Sequence, residues 1–201
     1  MANNAKQVEL DSMWEIYDLL INFTEYEDAL LKYLKGNDLK GAFDIMSSRD
    51  RIQAYKIIFD HTPDALKYDL FINAYCSAEY GFDAFTGKII NKIQQLKPKD
   101  LIELLKSKAD TDGNLTLYRG ESSKSSNVKR ALSWTLDRDK AIWFAKRFNF
   151  SGEGYVYNAK TNISHVIAYI NDRSEEEILV KYKDVRVISK DIIKISDGIL
   201  A

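Results

Sequence analysis

The chain has 201 residues, 45% hydrophobic and 12% aromatic, enough to bury a sizeable core in one domain or two small ones. Two prolines and nine glycines exclude a disordered chain or a fibrous repeat. A formal net charge of -1 excludes a whole-protein field that would draw the molecule to nucleic acid or membrane.

The lone cysteine, Cys76, cannot form an intramolecular disulfide and suits a reducing compartment. Within INAYCSAEY it is expected to be a small buried hydrophobe rather than a nucleophile. The start, MANNAKQVEL, lacks a basic and apolar signal pattern, and no apolar run reaches membrane-spanning length. These features predict a cytoplasmic protein without a membrane partner.

Up to about residue 110 the apolar residues recur at helical spacing. Leu10, Met13, Trp14, Tyr17, Leu20 and Ile21 form a first stripe. Thr24 opens TEYE, a capping-box pattern in which Glu27 reaches back, and Gly36 is expected to stop that helix. Leu39, Ala42, Phe43 and Met46 make a third stripe, and Ile52, Tyr55 and Phe59 a fourth. Thr62 and Pro63 mark another start, followed by Leu66, Leu70 and Ala74. Phe85, Ile89, Ile93 and Leu96 lie on the next helix; Pro98 breaks it, and Asp100 with Glu103 opens a last one. Six or seven packed helices are predicted, with no metal-ligand spacing among them.

The turn ADTDGN, residues 109 to 114, ends this pattern and lacks calcium-loop spacing. From Leu115 onward LTLYRG, GYVYNAK, SHVIAYI, EEILVKY and DVRVISK read as short strands. One helix, DRDKAIWFAKRF, interrupts them; its apolar face is Ala141, Phe144, Ala145 and Phe148. An α+β fold is therefore predicted. A helical region, 1–110, is expected to pack on or complete a β-rich region, 111–201.

Three stretches of the β-rich region bear on chemistry. In RSEEEILV, a strand would place Glu175 and Glu177 on one side and Glu176 on the other. Paired carboxylates stabilise a developing cation or deprotonate a nucleophile, although a glutamate triplet is commonly a solvated strand entrance. LYRG puts Arg119 and Gly120 at a strand end. Arginine grips phosphate with a planar fork, and glycine admits close approach to the backbone. In LSWTLDRDK, Ser133 and Thr135 alternate with Trp134, so both hydroxyls can share a face; capping by Thr135 or Asp137 is the simpler reading.

Taken in order, Tyr118-Arg119-Gly120, Ser133-Trp134-Thr135 and Glu175-Glu176-Glu177 resemble the motifs of mono-ADP-ribosyltransferases of the arginine–serine–glutamate class. The resemblance spans roughly residues 114 to 190. That family includes many bacterial toxins and several phage proteins. It implies a split antiparallel β-sandwich fold, NAD as co-substrate, no metal, and a protein acceptor. On this resemblance Arg119 holds the NAD phosphates and the backbone of Gly120 meets the nicotinamide amide. Ser133, with Thr135 beside it at the cofactor, orients the catalytic Glu177, which bonds the 2′-hydroxyl of the nicotinamide ribose. Glu175 faces the acceptor and favours a guanidinium, hence a protein arginine. Relatives that modify other groups often carry glutamine there. The setting it implies is an effector, toxin or phage protein acting in host cytoplasm.

Phe150, in NFSGEG, is the aromatic chosen to stack on nicotinamide. His61 and His165 lie outside the motifs and are not expected to be catalytic, and no Ser/His/Asp arrangement can be read. Eight basic residues between 119 and 147 (Arg119, Lys124, Lys129, Arg130, Arg138, Lys140, Lys146, Arg147) make a solvated face, with a nucleic-acid acceptor as the rival reading. The same residues would also suit an NAD glycohydrolase, which passes the ribosyl group to water, or a non-catalytic partner-binding module.

Overall fold

A computed structural model describes residues 13–78, 81–122, 125, 127–147, 152–171 and 174–195. The chain is α+β and divides into two compact units, Met1–Leu96 and Lys97–Ala201. The first is helical: α1 (13–20), α2 (Glu27–Lys35), α3 (Leu39–Asp44), α4 (Arg51–Ile58), α5 (Asp64–Ser77) and α6 (Gly87–Leu96). Leu20, Leu30, Phe43, Ile52, Tyr55, Phe71 and Ile93 are fully buried, as their spacing requires. The Tyr55 ring meets Phe43, Phe71 and Phe85 at 6.1–6.4 Å between centres, and its hydroxyl donates to the Lys67 carbonyl at 2.8 Å. Burial pushes that phenol well above its ordinary pKa. Cys76 is half-buried rather than fully enclosed.

Two helix starts differ from the sequence expectation. Thr24 Oγ1 accepts from Tyr26 N at 3.1 Å, a tight local turn, while Glu27 accepts the Tyr17 hydroxyl at 2.6 Å. The capping box is thus not made, and α2 begins at Glu27 behind Tyr26. Pro63 is the residue preceding α5 rather than its first helical position.

The second unit contains α7 (Leu101–Lys106), α8 (Arg138–Lys146) and strands β1 (Asn114–Glu121), β2 (Ser133–Thr135), β3 (Gly152–Asn162), β4 (Ala168–Ile170), β5 (Glu177–Leu179) and β6 (Arg186–Ile195). They form one antiparallel sheet in the order β4-β5-β2-β1-β3-β6. A helix of the predicted 1–110 region, α7, therefore belongs with the sheet: Leu101 and Leu105 pack with Leu115, Leu117, Trp134, Ile178 and Val180 in one core. SHVIAYI is not one strand: Ile163–His165 make a tight helical turn, and pairing with β5 starts with Ile167 N donating to the Leu179 carbonyl at 2.8 Å; Lys97 Nζ takes the carbonyls of Ser164 and Val166 at 2.6 and 2.8 Å. At the start of β1, Asp110 Oδ1 accepts from Asp112 N and Asn114 N, and Lys160 lies 3.1 Å from Oδ2. The hydrogen bond from Asn114, then Lys160, hold the Asp110 carboxyl below its ordinary value of 3.8.

Helix α8 sits on the other side of β1 and β3. A Cβ on Gly120 would come within 2.0 Å of the Ala141 carbonyl and 2.6 Å of the Ala145 nitrogen. One on Gly154 would meet the Ala145 carbonyl at 2.7 Å. Ala141, Ala145 and Val156 are buried in this seam.

Gly120→Ala must push the helix off the sheet and should cost about 3 kcal/mol, read as a lower urea midpoint. Gly87→Ala, with nothing within 4 Å, should be neutral or mildly stabilising in the same assay. The Asp110 contribution to stability is present above pH 3.8, its unfolded-state value, and is lost as pH falls through the lower folded value. Asp110→Asn should therefore flatten the acid limb of a stability–pH curve in that window.

Candidate active site

Adjacent strands bring the three motifs together. Arg119 near the end of β1, Ser133 at the start of β2 and Glu177 at the start of β5 come from neighbouring strands of the sheet order. Register does this: Tyr118 pairs with Thr135, and Thr135 with Glu177. Arg119 Nη1 donates to the Ser133 carbonyl at 2.8 Å. Ser133 Oγ donates to Glu177 Oε1. Arg119, Ser133 and Glu177 are each half-buried, so their polar groups are shielded without being sealed from ligand. The hydroxyl donor orients the Glu177 carboxylate, and the guanidinium holds the main chain of the residue that carries that hydroxyl.

Thr135 is buried and does two jobs. Its Oγ1 donates to the Glu175 carbonyl at 2.6 Å and accepts from Asp137 N at 3.0 Å. Asp137 caps α8, accepting from Asp139 N and Lys140 N at 2.8 and 3.3 Å. Of the two capping candidates, Asp137 is the cap, while Thr135 steadies the Asp137 N–H and holds the backbone of the glutamate triplet. Gly120 is occupied by α8 on its side-chain side, so its lack of a Cβ is already required by packing.

The triplet is not a strand. Only Glu177 belongs to β5; Ser174 and Glu176 have φ +54° and +45°. The expected alternation of Glu175, Glu176 and Glu177 therefore does not apply, because a left-handed turn, not a pleat, directs the first two. Glu175 is half-buried beside this turn.

Sequence reasoning missed several neighbours. Lys108 Nζ donates to Glu176 Oε1, and that hydrogen bond holds the Lys108 ammonium above its ordinary pKa. Tyr157, paired with Arg119 across β1 and β3, donates its hydroxyl to Glu121 at 3.3 Å. Lys190, paired with Tyr157 on β6, lies 3.6 Å from the Tyr155 ring centre, and a hydrogen bond with Tyr157 raises its pKa. No spacing rule links positions so far apart; the β-register joins Arg119, Tyr157 and Lys190, and tertiary packing brings Lys108 to Glu176.

Phe150 lies outside the described residues, as does Lys124. His61 pairs with Glu15 at 3.3 Å in the helical unit, and His165 is 4.0 Å from Asp184. Among the basic residues, Arg138 pairs with Asp191 at 3.4 Å and Arg147 lies over the Trp143 ring at 4.9 Å. Among the described residues no group of three or more His, Cys, Asp or Glu could hold a metal, and no helix is long and apolar enough to cross a membrane.

Comparisons with known proteins give no match to a family model, a curated protein or a solved structure.

Thr135→Val keeps the shape of the side chain but strands the Glu175 carbonyl and the Asp137 N–H. It should cost about 1–3 kcal/mol in urea unfolding.

Proposed function

We propose that the chain is a mono-ADP-ribosyltransferase of the arginine–serine–glutamate type, with the corresponding split-sandwich fold. It moves ADP-ribose from NAD to a protein arginine and releases nicotinamide. The observation that carries this reading is the Ser133 hydroxyl on the Glu177 carboxylate, with Arg119 on the Ser133 carbonyl. A carboxylate held by a donor on a neighbouring strand is preorganised, and preorganised charge is what a developing cation requires.

In the reaction, the bond between ribose C1′ and the nicotinamide nitrogen breaks. Its electron pair leaves with nicotinamide, which departs neutral. The ribose acquires oxocarbenium character, stabilised by Glu177 beside the 2′-hydroxyl. A guanidine nitrogen of the acceptor then bonds to C1′, and its proton passes to Glu175. Arg119 binds the diphosphate as a fixed, always-charged fork. Ser133 keeps Glu177 in one orientation, and Thr135 keeps the main chain of Glu175 in place. The protein would act in a host or producer cell as a toxin, phage protein or other effector.

The test is labelled NAD in a lysate of a plausible host, with the protein and nucleic-acid fractions separated. Wild type should label protein. Glu177→Gln, at unchanged circular dichroism, should lower both labelling and nicotinamide release about 10²–10³-fold. Nicotinamide release without labelled macromolecule would make the chain a glycohydrolase, and label in nucleic acid alone would change the acceptor class. A folded wild type that neither binds nor consumes NAD would overturn the reading in favour of a binding module.

A further inference from the structure

Glu176 lies between the two candidate catalytic glutamates. Its backbone, at φ +45°, is one that non-glycine residues enter only at an energetic cost. Such strain persists where the surroundings over-determine it. Four contacts do so here. Lys108, just past the end of α7, donates Nζ to Glu176 Oε1. Tyr169, on β4, donates its hydroxyl to the same oxygen at 3.4 Å. The Glu176 nitrogen donates to Asn171 Oδ1 at 3.2 Å, and its carbonyl accepts from Leu136 N at 3.1 Å. The Lys108 ammonium also stands 5.3 Å from the Tyr169 ring centre, so cation, ring and carboxylate form one cluster. The ion pair is about one-third exposed, at 30% and 35%.

A surface glutamate serving solubility needs none of these contacts and would avoid a left-handed backbone. The cluster instead ties the turn of residues 174–176 to α7 and β4. We propose that Lys108 and Tyr169 are positioning residues. By gripping the Glu176 carboxylate they hold this turn in its left-handed form and so fix where Glu175 meets the acceptor. The proposal rests on the transferase reading above.

The two glutamates depend on the grip unequally. Glu177 is held by pairing with Thr135 and Ile170 and by the Ser133 hydroxyl. Glu175 is held through its carbonyl by Thr135, a single bond about which the peptide can swing once the turn relaxes. Loosening the cluster therefore spares NAD cleavage and impairs transfer. When the acceptor guanidine is not aligned, water takes its place at C1′ and its proton goes to solvent.

The experiment compares wild type, Lys108→Met, Lys108→Arg and Tyr169→Phe with labelled NAD in the host lysate. Nicotinamide release and protein labelling are read in the same reaction. Lys108→Met should hold nicotinamide release within about twofold while protein labelling falls about tenfold, and Lys108→Arg should restore the ratio, since a guanidinium also binds carboxylate. Tyr169→Phe, which removes one hydroxyl, should shift the ratio the same way by a smaller factor, and it serves if Lys108→Met does not fold. Release and labelling that fall together, or do not fall, overturn the positioning role while leaving the transferase reading intact. A wild type that releases nicotinamide without labelling protein removes the acceptor role of Glu175, and this proposal with it. A wild type that consumes no NAD overturns both readings at once.

Discussion

The sheet unit depends on the contact between the backbone of α8 and two glycines. With the Ala141 carbonyl where a Gly120 Cβ would be, and the Ala145 carbonyl over Gly154, the helix lies directly on β1 and β3. That closeness reaches further than the seam. Helix α8 begins three residues after β2, and Asp137 and Thr135 tie the two through a hydrogen bond. Seating α8 on β1 thus fixes β2 beside β1, so that the Ser133 carbonyl meets the Arg119 guanidinium. Glu177 then follows by pairing of β5 with β2. Each step is short-range, and together they turn a packing constraint into a polar constellation.

The constellation has a division of labour. Side-chain hydroxyls fix two points: Ser133 holds a carboxylate, and Thr135 holds a carbonyl. Arg119 and Lys108 fix two more, through the Ser133 carbonyl and the Glu176 carboxylate. Hydroxyls suit this task because they orient a neighbour without adding a competing charge. The larger core beneath, with Trp134 and Ile178 paired across β2 and β5, keeps those hydroxyls in register. A few hydrogen bonds thus gain directional value from a rigid apolar base.

Much of this was legible in the sequence. The helical stripe of Leu39, Ala42, Phe43 and Met46 marked α3, and the alternating run from Leu115 marked β1, because burial follows periodicity. The α+β order followed from the change of period near ADTDGN. Arg119, Ser133 and Glu177 were chosen as residue types, and the register places them on adjacent strands. Three features were not legible. The left-handed turn at Ser174 and Glu176 breaks local preference and is held by Lys108, 68 positions away. The shortened β4 goes with a tight turn at Ile163–His165, where the distant Lys97 takes the Ser164 and Val166 carbonyls. The membership of α7 in the sheet unit depends on Leu101 and Leu105 meeting Leu115 and Leu117, which periodicity within α7 cannot reveal. Each is a tertiary interaction overriding a local one.

The hydrogen bond from Thr135 to the Glu175 carbonyl has a consequence for inheritance. Every amino acid has a carbonyl, so the tether does not read which side chain stands at 175. A codon change there alters the group offered at the surface while the main chain keeps its course. The neighbouring positions lack this freedom: Glu176 is bound through its own carboxylate and Glu177 through its contact with Ser133. Within three consecutive glutamates, one position is open to a change of side chain, and the two after it are tied to the architecture.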